Sequence, residues 1–216
     1  MIDLVKYDFF IFYCDGVILD SNLLKTCAFV DSLPKEPNKY VKKLVQYHKN
    51  NGGISRYKKF KYYFENIKKS ENSEKEINLA LERFALIVKK GLLKSKFIPG
   101  VLRYIKKLNA NKIQVYVVSG SDEKELKEVF NKIGIIKLFN DIFGSPKDKF
   151  YNTRKVTKKT GKNKKGIFFG DSKSDYQAAI KNNIDFVFVK GKSEWKDGYE
   201  IMKEKNIKII NNFKGL

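Results

Sequence analysis

The feature that most constrains this chain is a short apolar run near its start, Phe9-Phe10-Ile11-Phe12, followed by Tyr-Cys-Asp-Gly. It has the texture of a buried strand, yet its neighbours in sequence are helical. From about Asn22 to Lys96 apolar residues recur at helical spacing, as in SNLLKTCAFVDSL, NKYVKKLVQYHKN, ISRYKKFKYYFENI and SEKEINLALERFALIVKKGLL. Ser21 is a candidate helix cap, Asn51-Gly52-Gly53 is a strong breaker, and Ser73 with Glu76 three residues on has capping-box spacing. After Phe97 strand and helix textures alternate: PGVLRYIKKLN, KIQVYVVSGS, DEKELKEVFNKIG, DIFGSP, DKFYNTRKVTKKTG, GIFFGDS, SDYQAAIKNN, DFVFV, GYEIMKEKN and IKII. Such alternation predicts a parallel sheet covered by helices on both faces. A lone strand cannot bury itself, so Tyr7–Tyr13 must join that sheet. The expected fold is α/β, a three-layer Rossmann-like core with an all-α insertion after the first strand. Residues 1–16 and 97–216 form the core and residues 17–96 the insertion.

Composition limits what such a chain does. The chain has 216 residues, 42% of them hydrophobic and 14% aromatic, enough for a sizeable core. The formal net charge of +21 favours anionic partners. Arginine occurs only at Arg56, Arg83, Arg103 and Arg154, unclustered, whereas sequence-specific nucleic-acid readers lean on arginine. Nucleic acid is therefore not the expected main partner. Cys14 and Cys27 make neither a disulfide framework nor a zinc pattern. Asp3, Lys6 and Asp8 interrupt the N-terminus, so no signal peptide is expected. No apolar run approaches membrane-spanning length. A soluble, cytoplasmic protein is the expectation.

In open α/β sheets ligands collect at the C-terminal ends of the strands. The polar residues at those ends are Asp15, Ser119, Lys149, and Asp171 with Asp175. Carboxylates suit Mg²⁺, a hard ion that prefers oxygen. A hydroxyl and an ammonium suit the oxygens of a phosphoryl group. The set is that of a phosphoryl-transfer site, where positioning and charge neutralisation do most of the work.

The motifs YCDGVILDS, VVSGS, GSPKDK and FFGDSKSD, in this order and each at a strand end, resemble those of the haloacid dehalogenase (HAD) superfamily. The similarity runs essentially end to end and lies with the phosphatases and phosphomutases that carry a helical cap after the first strand. The resemblance implies that Asp15 is the general acid and base. It also implies that Ser119, Gly120 and Lys149 hold the phosphoryl group of a small phosphorylated metabolite. Asp171, Asp175 and the Asp15 carbonyl would meet Mg²⁺. Lys147 competes with Lys149 for the third-motif role.

The first motif departs from the family pattern. Where the family has a nucleophilic aspartate two residues before Asp15, this chain has Tyr13. An acyl phosphate hydrolyses readily, while a phenol, with a pKa near ~10, is largely protonated at neutral pH. Tyrosine is also larger and removes a carboxylate from the metal. The expected consequence is a phosphatase-like protein of impaired catalysis, with weakened or absent Mg²⁺ binding. Two alternatives stand beside it: residual phosphomonoester hydrolysis by Asp15 with a water, and a basic scaffold for nucleic acid or another acidic partner. Cys14 is expected in the core and His48 on the surface. The aromatic series from Tyr57 to Phe64 is expected to pack between helices, and Lys158–Gly166 to form a solvated loop.

Overall fold

A computed structural model describes residues 3–161 and 163–216. Six parallel strands form one sheet: β1 (Phe9–Phe12), β2 (Gln114–Asp122), β3 (Asp141–Ser145), β4 (Gly166–Gly170), β5 (Asp185–Val189) and β6 (Lys208–Ile210). Their spatial order is β3-β2-β1-β4-β5-β6. The lone first strand thus lies in the middle of the sheet, between β2 and β4. That position explains its unbroken apolar sequence: all four residues are buried, as a central parallel strand requires. The sheet is flanked by α5 (Val101–Ala110), α6 (Glu123–Lys132), α7 (Lys149–Thr160), α8 (Lys173–Lys181) and α9 (Gly198–Glu204). Phe10, Phe12, Tyr104, Phe169 and Phe213 fill one aromatic cluster, with the Phe12 and Phe169 rings stacked at 5.0 Å. Each such buried phenylalanine contributes about 1.5–3 kcal/mol relative to exposure.

Between β1 and β2 the chain forms α1 (Asn22–Asp31), α2 (Asn38–Asn50), α3 (Arg56–Tyr62) and α4 (Ser73–Leu92). A single π-helical turn, Tyr63–Lys68, follows α3. Phe29, Phe60 and Phe84 meet at centroid distances of 4.5–5.7 Å and hold α1, α3 and α4 together. Phe60, Tyr63 and Phe64 of the aromatic series are buried there, while Tyr57 and Tyr62 are partly exposed. The expected loop over Lys158–Gly166 is shorter than that: Lys158–Thr160 are the last turn of α7 and Gly166 opens β4, buried, which leaves Gly161 and residues 163–165 as loop; Lys162 of that stretch lies outside the described residues.

Several local expectations are corrected. Ser21 precedes α1 without capping it, because its hydroxyl donates to Asp15 instead. Ser73 and Glu76 form no capping box, since Glu76 is taken by Lys68 and Ser70. His48 is buried, not on the surface: α2 turns it inward against Phe29, with ring centroids 4.6 Å apart.

Candidate functional site

Register brings the site together. Phe12 pairs with Val117 on one side and Phe169 on the other. Tyr13 and Asp171, just past the ends of β1 and β4, therefore lie beside Ser119 of β2, where strand order reverses about β1. After β1 the chain turns tightly, with the amides of Ile18 and Leu19 donating to the Cys14 carbonyl at 2.8 and 2.9 Å. Gly16 sits at φ +74°, and a Cβ there would lie 2.2 Å from Asp171 Oδ2. Only glycine serves at both demands. The turn sends the chain into α1, whose first residues come back over the strand end. Ser21 and Lys25, one helical turn apart, share a face.

That face is where Asp15 is held. Its carboxylate is fully buried, accepts from Ser21 Oγ at 2.6 Å, and pairs with Lys25 Nζ at 2.6 Å. Lys25 also donates to Ser121 Oγ at 2.5 Å. Burial works to raise the Asp15 pKa, but the Lys25 ammonium, together with hydrogen bonds from Lys25, Ser21 and the Tyr13 phenol, outweighs it and holds the carboxyl below its ordinary value. Ser119 is buried, and its hydroxyl donates to Ser121 Oγ at 3.0 Å while accepting from the Ser121 amide. Lys149, at the start of α7, is buried and pairs with Asp175. Lys147 is exposed and lies over the Tyr151 ring, 5.2 Å from its centroid.

The Tyr13 side chain is buried among these groups. Lys149 Nζ lies over its ring, 3.6 Å from the centroid, a close cation–π contact. Burial, reinforced by the carboxylates of Asp15, Asp171 and Asp175, drives the phenol pKa well above its ordinary value. The hydroxyl stays neutral, the form least able to attack phosphorus. Cys14 is buried in the core, as expected from strand alternation.

The donors do not make a set for a hard divalent cation. Asp175 spends one oxygen on Lys149 and the other on Ser172, whose amide and hydroxyl both donate to it in the capping box that starts α8. Asp171 Oδ2 accepts the Asn22 side-chain amide at 2.5 Å. Burial and the neighbouring Asp175 push the Asp171 pKa well up, towards the neutral acid. Among the described residues no three His, Cys, Asp or Glu side chains come together as a cation would need.

The helical block closes over the site. Gly53 reaches between Lys149 and Ser174: a Cβ on it would fall 2.2 Å from Lys149 Nζ and from Ser174 Oγ. Ser174 Oγ donates to the Gly52 carbonyl at 3.0 Å, and a Cβ on Gly120 would meet the Gly53 carbonyl at 2.2 Å. Arg56 pairs with Glu125 at 2.9 Å, both buried. The cavity left between block and sheet is lined by Tyr13, Phe29, His48, Lys59, Phe84 and Trp195, among others.

A family profile for haloacid dehalogenase-like hydrolases matches residues 10–189. This chain belongs to that family. Its fold is shared with solved structures across nearly the whole chain. A protein from Haemophilus somnus described as a predicted phosphoglycolate phosphatase superposes with a TM-score of 0.74 at 19% identity, over 96% of this chain and 95% of that one. A predicted phosphatase from Clostridium acetobutylicum gives 0.72 at 20% identity, over 95% and 94%. The Bacillus subtilis protein YfnB, described as a HAD-hydrolase and solved bound to magnesium, gives 0.62 at 16% identity, over 94% and 100%. At these identities the likeness is one of fold. No curated protein matches the sequence significantly. Family membership gives the haloacid dehalogenase-like hydrolase class. No helix among the described residues is long and apolar enough to cross a membrane.

Sequence reasoning missed the partners that the helical block supplies: Asn22, Lys25, Arg56 and Lys59. Only Lys25 left a trace, its helical spacing from Ser21. The others reach the site through tertiary packing.

Proposed function

We propose that this HAD-family chain binds a small phosphorylated molecule in the cleft between its α/β core (1–16 and 97–216) and its helical cap (17–96), and that it does not hydrolyse that molecule by the aspartyl-phosphate route. The observation that carries the reading is Tyr13: a buried, neutral phenol whose ring is covered by Lys149 at 3.6 Å, where the family places a carboxylate nucleophile. The roles assigned to Ser119, Gly120 and Lys149 are phosphoryl binding. Asp15 occupies the acid–base position, yet its salt bridge to Lys25 stabilises the carboxylate and weakens it as a proton donor. A carboxylate stabilised in this way is also a weaker base toward water, which disfavours the alternative of Asp15-driven water attack. In this reading Mg²⁺ binding is weak or absent, because Asp175 is engaged by Lys149 and Ser172 and the first-motif carboxylate is replaced. A cytoplasmic setting fits two free cysteines, one buried and one exposed.

A Mg²⁺-supplemented assay on p-nitrophenyl phosphate tests the reading. The natural chain should show no turnover above buffer, and Tyr13→Asp should gain metal-dependent turnover. Turnover by the natural chain that vanishes in Asp15→Asn would sink it.

A further inference from the structure

The site contains one buried ammonium that its own carboxylates do not neutralise. Lys25, Arg56 and Lys149 are paired with Asp15, Glu125 and Asp175. Lys59, on α3, is 2% exposed and lines the cavity, yet no carboxylate of the described residues comes within ion-pair distance of it. Its nitrogen donates to His48 Nδ1 at 2.6 Å and lies 5.6 Å from the Phe29 ring centroid.

The hydrogens around it are assigned by elimination. Glu194 is an acceptor, so the single hydroxyl hydrogen of Thr26 goes to it, at 2.9 and 3.0 Å to its two oxygens. Thr26 Oγ1 then accepts from His48 Nε2–H at 3.0 Å. That leaves His48 Nδ1 as the acceptor for Lys59. Burial first, and then the Lys59 charge, push the His48 pKa down to about 2, so the imidazole is neutral and its 3.7 Å approach to Glu194 is not an ion pair. An ammonium has three donors. One is spent on a neutral ring, which leaves the charge and two donors available to the cavity.

We infer that Lys59 is an anion-binding residue of this cleft, taking the carboxylate or phosphate of a small molecule whose apolar body packs against Phe29, Phe84 and Trp195. This rests on the reading of the cleft as a binding site and adds the residue that completes it. A bound oxyanion is the counter-ion Lys59 lacks; the relay through His48 and Thr26 to Glu194 holds the nitrogen in place meanwhile. Without a ligand the Lys59 pKa is lowered to about 7, chiefly by burial, then by Lys149 on α7 and Lys25 on α1. Glu194, in the loop after β5, and Asp15 after β1 work the other way, and His48 of α2 faces the group as a neutral acceptor. An anion stabilises the charged form, so binding above about pH 7 takes up a proton and affinity falls as pH rises.

Calorimetry on the full chain, metal-free at pH 7.5 in buffers of different ionisation enthalpy, tests this with benzoate, phenyl phosphate and neutral phenol. The expected result is binding of at least one anion with proton uptake, no comparable binding of phenol, and at least tenfold weaker binding to Lys59→Met. The benzoate and phenyl phosphate arms tell carboxylate from phosphate. Proton uptake is read on the unmodified chain, so the inference stays open to refutation even if Lys59→Met does not fold. Anion binding without proton uptake, or equally tight binding to Lys59→Met, overturns the inference and leaves the binding reading of the cleft standing. Hydrolysis of phenyl phosphate by the natural chain with Mg²⁺ overturns instead the reading that the cleft binds a phosphoryl group without hydrolysing it. Failure of both anions to bind overturns both.

Discussion

The strand-end site and the helical block handle buried charge in opposite ways. At the strand ends Asp15 and Asp175 each have an ammonium partner, and Asp171 has an amide and a tendency to hold a proton. The helical block instead buries Lys59 against a neutral imidazole and the Phe29 ring. Pairing stabilises two of these three buried carboxylates, and an amide donor serves the third. The block's ammonium carries an unrelieved desolvation cost, because burying an ion is expensive unless it is paired. The contrast separates a region built to be stable as it stands from one built to receive something.

The comparison breaks most sharply at Asp15. Asp15→Asn keeps the shape but leaves Lys25 without its counter-charge, and breaking a buried pair costs about 3–5 kcal/mol. Denaturant unfolding of the variant should show a loss of that size; a loss near zero would mean the pair is not formed.

The next effect concerns Lys59 and has a defined sign. Its folded pKa of about 7 lies below the ordinary 10.5, so the unfolded chain binds more protons between those values. Stability should therefore be lowest below about pH 7 and rise from there towards pH 10.5, by on the order of a few kcal/mol. Subtracting the pH profile of Lys59→Met isolates the contribution from the tyrosines. A difference profile that is flat, or that falls over this range, contradicts an unpaired buried ammonium.

Smaller effects probe the seam between the regions. Gly53 adopts φ +75° and has no room for a side chain beside Lys149. Gly53→Ala should cost about 1–2 kcal/mol in unfolding free energy, since alanine is strained at positive φ. Smallest is Ser172→Ala, which removes the hydroxyl of the α8 capping box and should cost about 1 kcal/mol. Measured together, the two variants report whether closure of the block or integrity of the strand-end turn contributes more to stability.

Much of the fold was legible because its signals are local. Unbroken apolar runs such as Phe9–Phe12 and GIFFG mark strands buried on both faces, and helical spacing marks α2 and α4. The strand-end polar residues were legible too, since a parallel sheet delivers its strand ends to one edge. Caps were less so: Ser21 and Ser73 have the right residue type, but Asp15 claims the first and Lys68 and Ser70 draw away the Glu76 partner of the second. His48 looked like a surface residue among lysines, and its burial follows from the packing of Phe29 and Phe84, which no local pattern encodes.

By itself the sequence determined the sheet-and-helix alternation, the four strand-end motifs and the presence of tyrosine at position 13, all features of residue type and short-range order. The tertiary structure decided what those side chains meet. It placed Lys149 on the Tyr13 ring, Lys25 on Asp15, and Lys59 in the cavity facing a neutral histidine. The reason is physical: the energy of a buried charge is set by what lies within a few ångströms of it, and those neighbours come from elements far apart along the chain.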